Sequence, residues 1–151
     1  MLHLKPGDQA PDFVSTNEKG ETVQLSDFAG KKLILFFYPA DNTPTCTVEN
    51  CNLRDNYELL QSKGYELLGV SPDSAKKHQN FIAKHNLPFS LLVDADLEVI
   101  KAYGAWGLKK SFGKEYEGLL RSTFVIDENG TIEKVIEKVK SKDHANQILE
   151  A

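Results

Sequence analysis

Cys46 and Cys51 are the only two cysteines in the chain, and they sit five residues apart in Thr43-Pro44-Thr45-Cys46-Thr47-Val48-Glu49-Asn50-Cys51. Thr43 reads as a helix N-cap and Pro44 as the first helical residue, where its missing N–H costs nothing and its fixed φ suits the helix. Cys46 then falls in the first turn. Free N–H groups and the positive end of the helix dipole favour an anion there, and such a setting favours the thiolate form of a cysteine. The thiolate is the nucleophile, so the chemistry implied is thiol chemistry. The competing reading of Cys46 is a small buried hydrophobe. On that residue alone the two readings stand level. For Cys51 alone the buried reading leads.

Helical spacing separates the two cysteines. At about 100° per residue, Cys46, Asn50, Leu53, Tyr57 and Leu60 share one stripe. Leu53, Tyr57 and Leu60 are expected to face the core, with Cys46 at its mouth. Cys51 is turned roughly 140° away and displaced about 7.5 Å along the axis. On an intact helix the Cα atoms would lie roughly 8–9 Å apart, beyond the ~7 Å reach of a disulfide. If these cysteines pair, the first turns of the helix must unwind.

The elements around this segment follow from pattern. Lys32 to Tyr38 is a continuous apolar run, the mark of a strand buried on both faces. A helix is expected from Pro44 to about Ser62, stopped at Gly64. Tyr65–Ser71 reads as a second buried strand and Ser74–His85 as a helix with Phe81 and Ile82 inward. A short strand is expected over Phe89–Asp94 and a short helix over Leu97–Tyr103. The stretch from Gly104 to Gly118 is expected to be irregular. Residues 121–127 and 131–136 form a hairpin around Glu128-Asn129-Gly130, and Asp143–Glu150 closes the chain as a helix. Residues 5–30 read as loop, with one strand at Glu21–Leu25. Strands alternating with helices, then a hairpin, predict a mixed sheet covered on both faces, a three-layer α/β/α domain spanning residues 1–151.

The bulk numbers narrow the function classes. The 151 residues are 40% hydrophobic and 26% charged, with a net charge of −4. An acidic chain does not suit nucleic acid or an anionic membrane. The longest apolar run, Leu33–Phe37, is far short of a bilayer span. The N-terminus shows no apolar signal region, so a cytoplasmic location is expected. In a reducing compartment a close cysteine pair points to catalysis or redox sensing. Cys-x4-Cys with no nearby histidine does not suit zinc, nor is it the Cys-x-x-Cys of thiol–disulfide oxidoreductases. His78 and His85 read as solvated surface histidines, Tyr103 and Trp106 as core cover, and Arg121 as one half of a surface ion pair. No cofactor loop or Ser/His/Asp motif is present.

Taken together, Pro39-x-x-x-Thr43-x-x-Cys46 resembles the active-site signature of the peroxiredoxins. The Thr43–Cys51 stretch is similar to the bacterioferritin comigratory protein (PrxQ) branch, which places its second cysteine five residues after the first. The resemblance extends to Gly7–Phe13, Phe37-Tyr38-Pro39, Gly69–Asp73, His85–Phe89 and Arg121–Asp127. It implies a thioredoxin-like fold and reduction of hydrogen peroxide and organic hydroperoxides without metal or haem. It implies Cys46 as the peroxidatic cysteine, Cys51 as the resolving one, and an intramolecular disulfide between them. Thr43 would hydrogen-bond the peroxide, Pro39 shield the site, Arg121 stabilise the thiolate and polarise the peroxide, and Glu49 hold the arginine. Thioredoxin is the implied reductant, and the expected assembly is a monomer or weak dimer. Thr45 stands where this branch commonly has glycine, which narrows the approach and restricts φ. A protein-disulfide reductase and a non-enzymatic peroxide sensor are the competing functions.

Overall fold

The computed structural model describes residues 3–150 and is organised around a seven-stranded mixed sheet. Its strands are β1 (Val14–Asn17), β2 (Thr22–Gln24), β3 (Lys32–Phe37), β4 (Tyr65–Ser71), β5 (Ser90–Val93), β8 (Ser122–Ile126) and β9 (Ile132–Ile136). They lie in the order β2-β1-β5-β4-β3-β8-β9. The β3–β4 and β4–β5 pairs are parallel and the others antiparallel. A separate ribbon pairs β6 (Trp106–Ser111) with β7 (Lys114–Leu119).

β3 is the central strand, and its alternate residues serve two cores. Leu33, Leu35 and Phe37 pack with Phe124, Tyr103 and Ile100, the last on α4 (Glu98–Ala102). Ile34, Phe36 and Tyr38 pack on the other face. There they meet α1 (Pro44–Asp55), α2 (Tyr57–Ser62), α3 (Ala75–His85) and α5 (His144–Leu149). Burial on both sides explains the unbroken apolar run. Gly69 of β4 is required by this packing, since a Cβ there would lie 2.6 Å from Leu91 and 2.8 Å from Phe36.

Three expectations about the elements are corrected. The helix expected from Pro44 to Ser62 is two helices, parted at Asn56 (φ −110°, ψ 10°). Asn56 turns its Nδ2 back onto the Asn52 carbonyl at 2.8 Å, the local competition that makes asparagine a poor helix interior. The stretch expected to be irregular is the β6–β7 ribbon. Its turn residues, Phe112 (φ 52°) and Gly113 (φ 78°), are both left-handed, as a two-residue hairpin needs. Phenylalanine in the first position conceals that turn. Finally, β1 lies in the segment read as loop. Its Val-Ser-Thr-Asn sequence carries no clear apolar alternation, and pairing with β2 and β5 makes the strand.

Candidate active site

The site gathers where β3 runs out and β8 begins. The two strands are antiparallel, with Phe37 opposite Ser122. The register therefore sets Arg121 beside the Tyr38–Pro44 connection that leads into α1. This is how a residue 75 positions away in sequence reaches Cys46.

Thr43 is extended (φ −81°, ψ 150°) and Pro44 opens the helix, as the sequence implied. The Thr43 carbonyl accepts the Thr47 N–H at 2.9 Å. Its hydroxyl caps no helical N–H and instead donates to the Ala40 carbonyl at 3.0 Å. With that proton committed, Oγ1 presents acceptor lone pairs at the helix mouth. Pro39 is half-buried at the end of β3. Cys46 is buried and Cys51 half-buried; both are free thiols. Leu53 and Leu60 are buried with Cys46, and Tyr57 is half-buried at the edge of that core, so the predicted stripe faces the sheet. Thr45 is exposed and lines an open groove with Pro44, Val48, Ser141 and Lys142.

Arg121 is more than a surface ion pair. One guanidinium nitrogen donates to Cys46 Sγ at 3.1 Å and the other to Glu49 Oε1. Burial works against its charge, but Glu49 and Cys46 outweigh this and raise its pKa further. Glu49 has no exposed surface. Burial pushes its pKa up to about 7, against the pull of Arg121. One guanidinium thus bridges the Cys46 sulfur and the Glu49 carboxyl.

Behind Glu49 stands His144, also fully buried, with Nε2 3.8 Å from Glu49 Oε2. His144 Nδ1 donates to Gln147 Oε1 at 2.9 Å, and Nε2 accepts the Thr123 hydroxyl at 2.7 Å. Burial, and the nearby Arg121, lower its pKa below the ordinary histidine value, so this ring is neutral. Among the described residues, two buried side-chain atoms have no hydrogen-bond partner, Glu49 Oε2 and Asn50 Oδ1.

Sequence reasoning misplaced His78. It is not solvated but fully buried, bonded to Asp41 and to the Leu92 carbonyl. The signal was its position three residues before Phe81, on the inward stripe of α3. His85 is half-buried, its ring edge-on to Phe81. Asp41, His144 and Thr123 carried no local signal, because the contacts Asp41–His78 and Thr123–His144 form only through tertiary packing. Among the described residues no helix is long and apolar enough to cross a membrane.

A thiol at a helix start, a guanidinium on its sulfur and an acceptor oxygen at the mouth suit two-electron oxidation of the thiolate by a small oxidant. Residues 6–135 match the AhpC/TSA family. Peroxiredoxin Bcp of Bacillus subtilis is 50% identical over 149 residues, covering 99% of this chain and 95% of that protein. A structure of Xanthomonas campestris bacterioferritin comigratory protein, titled for its alkyl peroxide reduction activity, superposes with a TM-score of 0.85 at 34% identity, covering 91% of this chain and 87% of that one. A PrxQ variant from Xylella fastidiosa gives 0.90 at 30% identity, covering 97% and 94%.

Proposed function

The chain belongs to the AhpC/TSA family, among peroxiredoxins of the Bcp or PrxQ kind, and from that premise we propose that Cys46 is its peroxidatic thiolate and Cys51 its resolving thiol. It is a thiol-dependent peroxidase that reduces hydroperoxides and is recycled by a thiol reductant. The observation that carries the residue assignment is the Arg121 guanidinium on Cys46 Sγ at 3.1 Å.

Cys46 thiolate attacks the nearer peroxide oxygen. The S–O bond forms as the O–O bond breaks, and the leaving oxygen departs as alkoxide or hydroxide and takes a proton. Thr43 Oγ1 accepts from the peroxide hydroxyl and aligns it. Arg121 and the free N–H groups at the start of α1 stabilise charge moving onto the leaving oxygen. Pro39 covers the site, and Glu49 fixes the guanidinium. Cys46 is now a sulfenic acid. The first turns of α1 unwind, the Cys51 thiol condenses with it, and water leaves as the disulfide forms. A dithiol protein, thioredoxin, then reduces the disulfide by exchange. The cycle needs one copy of the chain and suits a cytoplasmic enzyme.

Cys46→Ser is expected to abolish peroxide consumption. Cys51→Ser should consume about one equivalent and then fail to turn over with thioredoxin. A Cys46→Ser protein that still cycles, or a parent protein that reduces insulin disulfides without peroxide at a comparable rate, would overturn the assignment.

A further inference from the structure

His78 lies within α3 with no exposed surface. Its Nε2 is 2.8 Å from the Leu92 carbonyl on β5. A carbonyl oxygen only accepts, so Nε2 carries a proton. Its Nδ1 is 2.7 Å from Asp41 Oδ2. Asp41 Oδ1 already accepts the Tyr38 hydroxyl at 2.7 Å. A proton must stand between Nδ1 and Oδ2, or two lone pairs would face each other. Imidazole is the stronger base of the two, so the ring is an imidazolium paired with a carboxylate.

Asp41 belongs to the connection between β3 and α1. Its backbone N–H donates to Asp73 Oδ2 at 2.6 Å, and Asp73 also accepts the Ser71 hydroxyl at 2.9 Å. One loop residue is therefore tied to the end of β3, to the segment after β4 and to α3. Asn42, left-handed at φ 62°, turns the chain directly afterwards, and Thr43 follows as the cap of α1. The trio Asp41, Asp73 and His78 brings its donor atoms within 4.8 Å, as a cation site would. These side chains already bond to one another and to their neighbours, so the cluster reads as a clamp.

We propose that His78 is a positioning residue for the peroxidase reaction: its imidazolium holds Asp41, and through Asp41 the 39–43 loop that sets Thr43 and the first turn of α1 around Cys46. The inference rests on Cys46 being the peroxidatic residue. The groups facing His78 are Asp41 from the loop, with Tyr38 behind it, Asp73 from the segment before α3, and the uncharged Leu92 carbonyl from β5. Lys77 of α3 is turned to Asp73 at 3.8 Å. Burial opposes the charge on His78, but Asp41, the Leu92 carbonyl and Asp73 outweigh it and raise its pKa above 6.5. Below about 6.5 the ring is charged in both folded and unfolded chains and the clamp is complete. As pH climbs through the raised folded value the proton leaves and the clamp is lost.

Two measurements on the full chain test this. Nitrogen-15 shifts of the His78 ring at pH 7 should show both nitrogens protonated; a singly protonated ring overturns the proposal whatever the activity. The rate constant of Cys46 oxidation by hydrogen peroxide, followed as peroxide consumed, should fall about tenfold on an alkaline limb as the loop loosens. Asp41→Asn should flatten that limb. Its amide donates to Nδ1 of a neutral ring and still accepts from Tyr38. His78→Phe should lower the rate about tenfold at every pH, with a matching rise in KM for peroxide. A limb that persists in Asp41→Asn, or no limb in a parent enzyme that Cys46→Ser silences, removes the positioning role and leaves the peroxidase reading intact.

Discussion

Two buried cation–carboxylate pairs flank Cys46, and they are built to different standards. In Asp41–His78 both ring nitrogens and both carboxylate oxygens have partners between 2.7 and 2.8 Å. In Glu49–Arg121 one carboxylate oxygen is left without a donor, and so is Asn50 Oδ1 beside it. A buried polar atom without a partner costs about 1–3 kcal/mol. The loop before the helix therefore gains nothing by opening, while the helix start recovers hydration when it does. Packing draws the same line. The first two turns of α1 bury Cys46, Glu49 and Asn50 but no aliphatic side chain. From Asn52 onward the helix is fastened. Asn52 bonds the Lys142 carbonyl (3.0 Å) and the Ala145 N–H (2.8 Å), and Arg54 bonds the His85 carbonyl (2.8 Å). Leu53 adds the about 1.5–3 kcal/mol of a buried leucine. The boundary falls between Cys51 and Asn52, which frees the stretch that the proposed Cys46–Cys51 disulfide must unwind.

The contrast breaks most visibly at Arg121. Arg121→Met strips the cation from both Glu49 and Cys46, and the peroxide rate constant should fall by about 100-fold or more. A loss below about threefold in stopped-flow kinetics would mean the pair does not hold the site. Glu49→Gln sharpens the picture through pH. The Glu49 pKa is raised to about 7 by burial, against the pull of Arg121. Its stabilising proton is thus fully held below about 4.5 and lost as pH rises through about 7. Thermal unfolding of the parent should weaken over that window, and Glu49→Gln should flatten the dependence; an identical slope in both proteins would contradict it. The smallest effect belongs to Asn50→Leu. Asn50 Oδ1 has no donor, although Nδ2 bonds the Cys46 carbonyl at 2.9 Å; an apolar side chain of the same branched shape loses that one bond, removes the unpartnered oxygen, and should stabilise the helix start by about 1 kcal/mol. Disulfide formation should slow about fivefold while peroxide attack stays within about twofold. Faster resolution in that variant would refute the idea that the missing partner primes the helix.

Much of this was legible in the sequence because it was local. The strand at Lys32, the helix start at Pro44 and the placement of Cys46 follow from propensity and spacing. The link from Arg121 to Cys46 did not, since it depends on the β3–β8 register; only the family signature joined those residues. His78 was misread because its own helix carries no carboxylate pattern and Asp41 arrives from another loop, although its spacing from Phe81 did mark it as inward. The Asn56 break and the Phe112 turn were hidden for a related reason: neither residue is glycine or proline, and local hydrogen bonding and strand pairing decide their conformations.

The unpartnered oxygens of Glu49 and Asn50 bear on how much oxidant the enzyme can withstand. In the proposed cycle two fates compete once Cys46 is a sulfenic acid. Closure by Cys51 is unimolecular and proceeds at the pace of helix opening. A second encounter with peroxide, which yields the irreversible sulfinic acid, scales with peroxide concentration. Their ratio defines a threshold dose above which the enzyme inactivates itself. Two unpartnered oxygens at the helix start lower the cost of opening it and so raise that threshold, which turns incomplete hydrogen bonding beside the sulfur into tolerance to oxidative bursts.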